Sequence, residues 1–155
     1  HCGASRLHLP LLTEAITPDG WNPFGPPRSG PLPARTEVAP VRRARRIETD
    51  VAARETVLTI EEENGAYRMD VIDWTVASSP RGTFRISPDD PLTAKVDIAL
   101  RWRFSRGDWA VSTATDVTMT HSRDAIHCRV KLTAKEGDTQ VFESDKSWDF
   151  PRDHL

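Results

Sequence analysis

A strict alternation over residues 95–104 constrains the fold of this chain more than any other feature. One side of the alternation is apolar and consists of Val96, Ile98, Leu100, Trp102 and Phe104. The other side consists of Lys95, Asp97, Ala99, Arg101 and Arg103. Period two is the spacing of a β-strand with one dry and one wet face. At about 3.3 Å per residue the strand is roughly 33 Å long, which is longer than most. We therefore expect Trp102 in a hydrophobic core.

Shorter strands and turns surround this stretch. Residues 45–50 and 55–62 alternate on either side of a short turn, residues 51–54. Asn64-Gly65 predicts a tight hairpin, because both residues tolerate the positive φ of a type I′ turn. Residues 82–87 form a further short strand that the prolines after it stop.

Two turns centred on glycine organise the second half of the chain. Arg106-Gly107-Asp108 turns the long strand back into residues 109–120. This tripeptide also matches the one that cell-adhesion receptors read, but a glycine between polar residues is what a hairpin tip requires. Glu136-Gly137-Asp138 bends residues 129–142 into a long hairpin, which we expect among the inner strands. The strand before this turn carries Ile126, Cys128, Val130, Leu132 and Ala134 on one face.

The patterns predict an all-β fold built from antiparallel hairpins. No useful length of sequence repeats apolar residues at the helical spacing of i, i+3, i+4 and i+7. A single sheet cannot cover its own dry face, so a second layer is required. The expected architecture is an antiparallel β-sandwich or jelly roll, incomplete in this chain and preceded by an irregular proline-rich segment.

The first forty residues have their own composition. Eight of the 12 prolines lie there, and residues 18–33 form neither a helix nor an inner strand, because proline removes a backbone donor and fixes φ. We expect a surface crossing pinned by Trp21 and Phe24; a free linker is the alternative. The expected division is residues 1–40, a first strand plus this crossing, and residues 41–155, the sandwich core, within one domain.

The opening residues, HCGASRLHLP, lack an initiator methionine and already alternate like a strand. We expect a chain of this kind to be part of something longer. Processing of a secreted precursor is the alternative, although mature termini are usually loose tails.

Composition favours a folded soluble domain without nucleic-acid or membrane partners. The chain has 155 residues, 37% of them hydrophobic and 28% charged, which suits one domain. Its formal net charge of −2 gives no pull towards nucleic acid, and no apolar run approaches the ~20 residues that span a bilayer. Cys2 and Cys128 define neither a disulfide framework nor a metal site, so the redox compartment stays open. The expected location is the bacterial cytoplasm.

The residues that could carry chemistry support no site. The G-x-S-x-G elbow of serine hydrolases is absent, and Gly3-Ala4-Ser5 does not replace it. His127 and Cys128 are neighbours in a strand and point to opposite faces, so they do not bind one metal together. The other histidines, His1, His8, His121 and His154, are interpreted as ordinary surface residues. We expect no catalytic residue, no cofactor and no metal in this chain.

Three exposed features have a functional and a structural interpretation. The basic cluster RRARR, residues 42–46, suits a nucleic-acid or targeting patch, but alternating arginines also protect an edge strand. Trp21 and Trp74 suit sugar stacking, but isolated aromatics more often pin a loop. In each case the structural interpretation is favoured.

The motifs GASRLHLP, NPFGPP, ISPDDPLTAK, SRGDW, AKEGDTQVF and FPRDHL stand in this order along nearly the whole chain. Their order and spacing resemble the C-terminal part of CocE/NonD-type hydrolases, which are related to the X-Pro dipeptidyl-peptidases. That family carries glycine in the turn near Arg54, which this chain does not. The resemblance implies a parent with an α/β-hydrolase domain bearing a Ser-Asp-His triad, a helical cap and a C-terminal jelly roll.

The resemblance implies that this chain is the jelly roll without the triad. It would be a non-catalytic domain of a serine hydrolase acting on small ester or peptide substrates. Its partner would be the catalytic domain of the same protein, whose substrate cleft it helps to wall. The alternative is a free-standing binding β-sandwich, such as a carbohydrate-binding module. An upstream G-x-S-x-G elbow in the gene would separate the two.

Overall fold

The structure, a computed structural model, describes Gly25 and residues 30–152. The chain divides into two units, residues 1–32 and 33–155, and every described strand belongs to the second. The expected first strand and the pins Trp21 and Phe24 lie outside the described residues. Of the proline-rich crossing, residues 30–33 are described and have no regular structure.

Ten strands make up the second unit. They are β1 (Arg35–Ala39), β2 (Arg42–Asp50), β3 (Glu55–Glu63), β4 (Ala66–Met69), β5 (Trp74–Ser78), β6 (Arg81–Ser87), β7 (Asp90–Arg106), β8 (Trp109–His121), β9 (Ala125–Glu136) and β10 (Thr139–Pro151). All their pairings are antiparallel, and together they form one strongly curled, open sheet. The described residues contain no helix, so the prediction of an all-β antiparallel fold is confirmed.

The sheet is an up-and-down meander. Six of its short strands form three consecutive pairs, and the two strands of each pair are collinear segments of one interrupted strand. β1 and β2 pair with β4 and β3, which in turn pair with β5 and β6, and both of these pair with one edge of β7. The other edge of β7 pairs with β8, which is followed in order by β9 and β10. Counting each short pair as one strand, the meander has seven long strands, and its free edges in the described part are β1–β2 and β10.

The breaks within the three short pairs lie side by side across the sheet, and we call this line of breaks the crease. They fall at Pro40-Val41, Asn64-Gly65 and Ser79-Pro80. Backbone hydrogen bonds continue across the breaks, from Asn64 N to Ser78 O (2.9 Å) and from Ser79 N to Arg101 O (3.0 Å). The predicted hairpin at Asn64-Gly65 is wrong, because β3 and β4 run on in the same direction and do not pair with each other.

The other turns lie where the sequence predicts them. Residues 51–54 join β2 to β3, and Arg54 takes a positive φ of 53°, a conformation that normally favours glycine. Gly107 and Gly137 have φ of 55° and 54° at the tips of the β7–β8 and β9–β10 hairpins. The turn interpretation of Arg106-Gly107-Asp108 is therefore confirmed.

Strand register separates the sheet into two faces of opposite character. Val96 lies opposite Phe84 on β6 and Met119 on β8, and Met119 lies opposite Cys128 on β9. Following this register defines the apolar face: Ile47, Leu58, Ile60, Tyr67, Met69, Trp74, Val76, Phe84, Ile86, Val96, Ile98, Leu100, Trp102, Phe104, Trp109, Val111, Val117, Met119, Ile126, Cys128, Val130, Leu132, Phe142, Trp148 and Phe150. The polar face carries the residues between them.

The sheet has almost no core of its own within residues 30–152, where Val76 and Thr59 are the buried residues. Trp102 lies on the expected face, but its expected burial is wrong, since it is 42% exposed. Among the described strands the last hairpin does not take the expected inner position either, because β10 pairs there with β9 alone. Both corrections have one cause: the described residues form a single sheet, and no second layer among them covers the apolar face.

Candidate interaction surface

The apolar face is the largest unusual feature of the described structure. Six of its aromatic side chains are 36–51% exposed: Phe84, Trp102, Trp109, Phe142, Trp148 and Phe150. Together they leave on the order of 500 Å² in contact with water, because one aromatic side chain can bury about 150–250 Å². The largest apolar patch on a typical monomer is about 300–600 Å², and the aliphatic residues of this face add to the total. This surface is therefore a candidate interaction site.

Four aromatic rings form a continuous cluster near the β7–β8 hairpin. Trp102 and Phe104 stack with centroids 5.8 Å apart and planes inclined by 4°. Trp74 contacts Phe104 at 5.8 Å and reaches Trp109 at 5.5 Å. Trp74 is therefore one member of an aromatic cluster, which corrects its interpretation as an isolated exposed residue.

The polar face is crossed by ion pairs between neighbouring strands. Arg129 on β9 donates two hydrogen bonds to Asp145 on β10, at 2.9 and 2.5 Å. These bonds lower the pKa of Asp145 below its usual range and raise the pKa of Arg129. Lys131 lies 3.0 Å from Glu143, and its hydrogen bond is the main cause that lowers the pKa of Glu143. Because these charges already have partners, the polar face is suited to contact with water.

The basic cluster is balanced by acidic residues on the adjacent strand. Arg42 and Arg43 lie opposite Glu63 and Glu62, and Arg46 binds Glu61 at 2.6 Å. The cluster occupies β2, an edge of the sheet in the described part of the chain. The interpretation of these arginines as edge-strand residues is confirmed, and their charge is locally offset.

A serine, a histidine and an aspartate come together where β8 turns into β9. His127 Nδ1 lies 2.5 Å from Asp149 Oδ1, and His127 Nε2 lies 3.1 Å from Ser122 Oγ. This is the connectivity of a catalytic triad, but Ser122 Oγ also accepts a hydrogen bond from Ala125 N at 3.1 Å within its own turn. Five cavities among the described residues are lined by other side chains.

Sequence reasoning missed this array because it treated His127 as an isolated surface histidine. A usable signal exists only once the register of β9 and β10 is known. The structure does not bring any other histidine into it: His121 ends β8 on the apolar face, and His1, His8 and His154 lie outside the described residues.

The cavities are shallow and lie mainly along the crease. One of them, about 420 Å³, is bordered by Arg42, Glu61, Ser79, Arg81 and Arg101 among others, so side chains of both charge signs line it. Between residues 30 and 152, no three histidine, cysteine or carboxylate side chains stand close enough together to bind a metal ion. Cys128 is a free, half-buried thiol on the apolar face. No helix in the described part of the chain has the length and apolar character needed to cross a membrane.

Comparison with known proteins adds no relative. No family model, no curated protein and no solved structure matches the chain.

Proposed function

We propose that this chain is a non-catalytic β domain of a serine hydrolase, and that its apolar face docks on the rest of that enzyme. The observation that carries the proposal is the uncovered apolar face, on which Trp102, a side chain suited to a core, stays 42% exposed. A sheet with one dry face is stable only when another layer packs on it. In the proposed parent, the catalytic domain or its neighbouring strands supply that layer and complete the β-sandwich or jelly roll.

The size of the face supports a whole domain as the partner. Seven strands at about 4.8 Å spacing make a sheet roughly 30 Å wide. One α-helix with its side chains is only about 10–12 Å across, so a single bound peptide helix would leave most of the face in water. The surface of a whole domain is wide enough to cover it, and interfaces between domains of one chain reach this size.

The arrangement of charged residues also supports docking through the apolar face. The central strands contribute only apolar and hydroxyl side chains to the apolar face over residues 96–104 of β7 and 109–119 of β8. Charged residues on this face lie on the edge strands, such as Arg45 on β2 and Lys146 on β10, or at strand ends, such as Glu136 on β9. An apolar centre with a polar rim is the usual anatomy of a protein interface.

The resemblance to CocE/NonD-type hydrolases supplies the identity of the proposed partner. Under this proposal the parent hydrolyses small ester or peptide substrates with its own triad, and the β domain helps to wall the cleft. The chain departs from the family in the turn near Arg54, where it lacks the family's glycine although φ of Arg54 is positive.

The first test reads the gene upstream of this chain. A G-x-S-x-G elbow in the same reading frame is expected, and a reading frame that opens at this domain would contradict the proposal. The second test adds the upstream protein to the isolated domain and measures binding by sedimentation.

Two neighbouring substitutions give this binding test a matched pair. Leu132→Arg places a charge on the apolar face and should abolish binding, whereas Thr133→Arg places the same charge on the polar face and should leave binding intact. Both positions are half-buried on β9. Equal effects of the two variants would show that docking does not use the apolar face.

A carbohydrate-binding module is the second candidate function, and the aromatic cluster favours it. Trp102 and Trp109 present indole rings to solvent at 42% exposure each, and such rings stack on sugars. Titration with soluble oligosaccharides, followed by tryptophan fluorescence, separates the two candidates. A saturable change that is lost in Trp109→Ala would favour sugar binding over domain docking.

A further inference from the structure

The end of β10 is fastened to the β8–β9 turn by hydrogen bonds that the proposed function does not use. The backbone N–H of Arg152 donates to Asp124 O at 3.0 Å, and its guanidinium donates to Ser122 O at 3.0 Å. His127 stands beside them and links Asp149 of β10 to Ser122 of the turn, at 2.5 and 3.1 Å. Backbone and side chains therefore join the same two segments.

This fastening matters because β10 has a neighbour on one side only in the described structure. β10 pairs with β9 and with no other described strand. Edge strands open more readily than central ones, since half of their backbone groups rely on water. Contacts at the last residues of β10 therefore decide how far its end frays.

The proton on His127 changes the strength of one of these contacts. An ionised Asp149 only accepts hydrogen bonds, so Nδ1 of His127 carries a proton and donates to it. In the neutral ring, Nε2 accepts the hydroxyl proton of Ser122. In the charged ring, Nε2 donates to Ser122 Oγ, and the hydroxyl can turn to Ala125 O at 3.3 Å. Both bonds survive protonation, and only the charged ring makes an ion pair with Asp149.

Asp149 is the carboxylate in direct contact with His127, and the Arg152 guanidinium, which like His127 is bonded to Ser122, is a nearby cation that acts against it. The turn contributes Arg123 and Asp124, and Asp124 receives the Arg152 backbone N–H through its carbonyl. On β9, Arg129 shares the polar face but is bound to Asp145. On β8, the residue opposite His127 is the neutral Thr120, beyond which Lys95 follows on β7.

From this geometry we propose that Ser122, His127, Asp149 and Arg152 form a protonation-sensitive latch on β10. The latch holds the end of the strand in both protonation states of His127 and holds it more tightly when the ring is charged. The charged ring adds an ion pair with Asp149 to the hydrogen bond, so the added stability is present where the ring carries its second proton and is lost where the ring is neutral. Trp148 and Phe150 alternate with Asp149, so the latch also steadies the docking face, a consequence that rests on the proposed function.

Hydrogen exchange of the full chain tests the latch. Protection factors for the backbone amides of residues 148–150 and of Arg152 are measured at about pH 5.5 and about pH 8, either side of the general histidine range, and are normalised to intrinsic rates. We expect about two- to five-fold higher protection at the lower pH, the size of an exposed ion pair. The Asp149→Asn variant keeps the hydrogen-bonding shape and should lose this ratio. Its side chain is 73% exposed, so folding should be retained.

Two further variants keep the result interpretable. His121→Gln removes the other described histidine, on the opposite face, and should leave the pH ratio unchanged. Ser122→Ala should lower protection at both pH values and preserve the ratio. A ratio near one in the unmodified chain, or an unchanged ratio in Asp149→Asn, would overturn the proposal. Neither outcome bears on whether the apolar face docks, so the two proposals fail separately.

Discussion

Trp102 and Phe104 lie two residues apart on β7, and their rings stack almost parallel, with centroids 5.8 Å apart. Phe104 is half-buried, whereas Trp102 remains 42% exposed at the edge of the cluster. The two rings therefore pack on each other within the sheet, but no described residue covers the outer side of Trp102. Large aromatic side chains in this position are the usual anchors of protein interfaces.

Trp102→Ala should separate stability from docking. In the isolated chain we expect a loss of unfolding free energy well below the ~3–5 kcal/mol of a fully buried aromatic, because part of the indole is already in water. For binding to the upstream protein we expect the substitution to reduce the binding free energy by about 2 kcal/mol or more, as for an interface anchor. Chemical denaturation and a binding titration measure the two. Arg103→Ala, on the polar face, is the control and should leave binding unchanged.

Gly65→Ala tests the crease. A Cβ at this position would lie 2.4 Å from the carbonyl oxygen of Ala39, and φ is +72°. We expect destabilisation of more than about 1 kcal/mol, from strain and the close approach together. Gly107→Ala has a similar φ and open space around it, so it should cost less. Equal shifts of the denaturation midpoint in the two variants would mean that the close approach of position 65 to the Ala39 carbonyl does not affect the free energy of unfolding.

Acid should loosen the β9–β10 hairpin. The pKa values of Asp145 and Glu143 are lowered by hydrogen bonds from Arg129 and Lys131. A carboxylate with a lowered pKa contributes stability above its unfolded pKa, and that contribution disappears as pH falls through the folded value. NMR chemical shifts of β10 should therefore begin to change as these groups protonate, before the sheet as a whole unfolds. In Asp145→Asn the early change should shrink; an identical acid transition would rule out this pair as its source.

The isolated chain should not hydrolyse p-nitrophenyl esters or X-Pro amides. The nucleophile elbow is absent from the sequence, and Ser122 is engaged by its own turn. Turnover is followed by release of nitrophenol or nitroaniline, with Ser122→Ala as the matched control. Activity that disappears in this variant, or that a serine-directed inhibitor abolishes, would show that the Ser122–His127–Asp149 array is catalytic.

Alternation predicted which residues share a face, but it could not predict what covers that face. The partners of Val96 on β6 and β8 are apolar as expected, because register in a sheet with a dry face is strongly specified. The burial of Trp102 depends instead on a second layer, and nothing in the period of one strand reports whether that layer belongs to the same chain.

One extra residue explains why the His127 array could not be predicted. Next to the turn, Gln140 lies opposite Lys135, but after a bulge Phe142 lies opposite Ala134, so Val141 is left over. Without the bulge, His127 would face Trp148 instead of Asp149. A bulge has no reliable sequence signature here. The same is true at Asn64-Gly65, where the glycine lies in a break between the collinear strands β3 and β4 and not in a hairpin turn.

Sedimentation of the isolated chain tests the central claim most directly. If the apolar face normally packs on another part of the same enzyme, the chain alone exposes that face and its unpaired edges, and such surfaces drive self-association. We expect the isolated chain to be oligomeric or aggregation-prone, and a version extended upstream to sediment as a better-behaved species at the same concentration. A stable monomer with a sharp thermal transition would contradict the account and favour a free-standing binding domain.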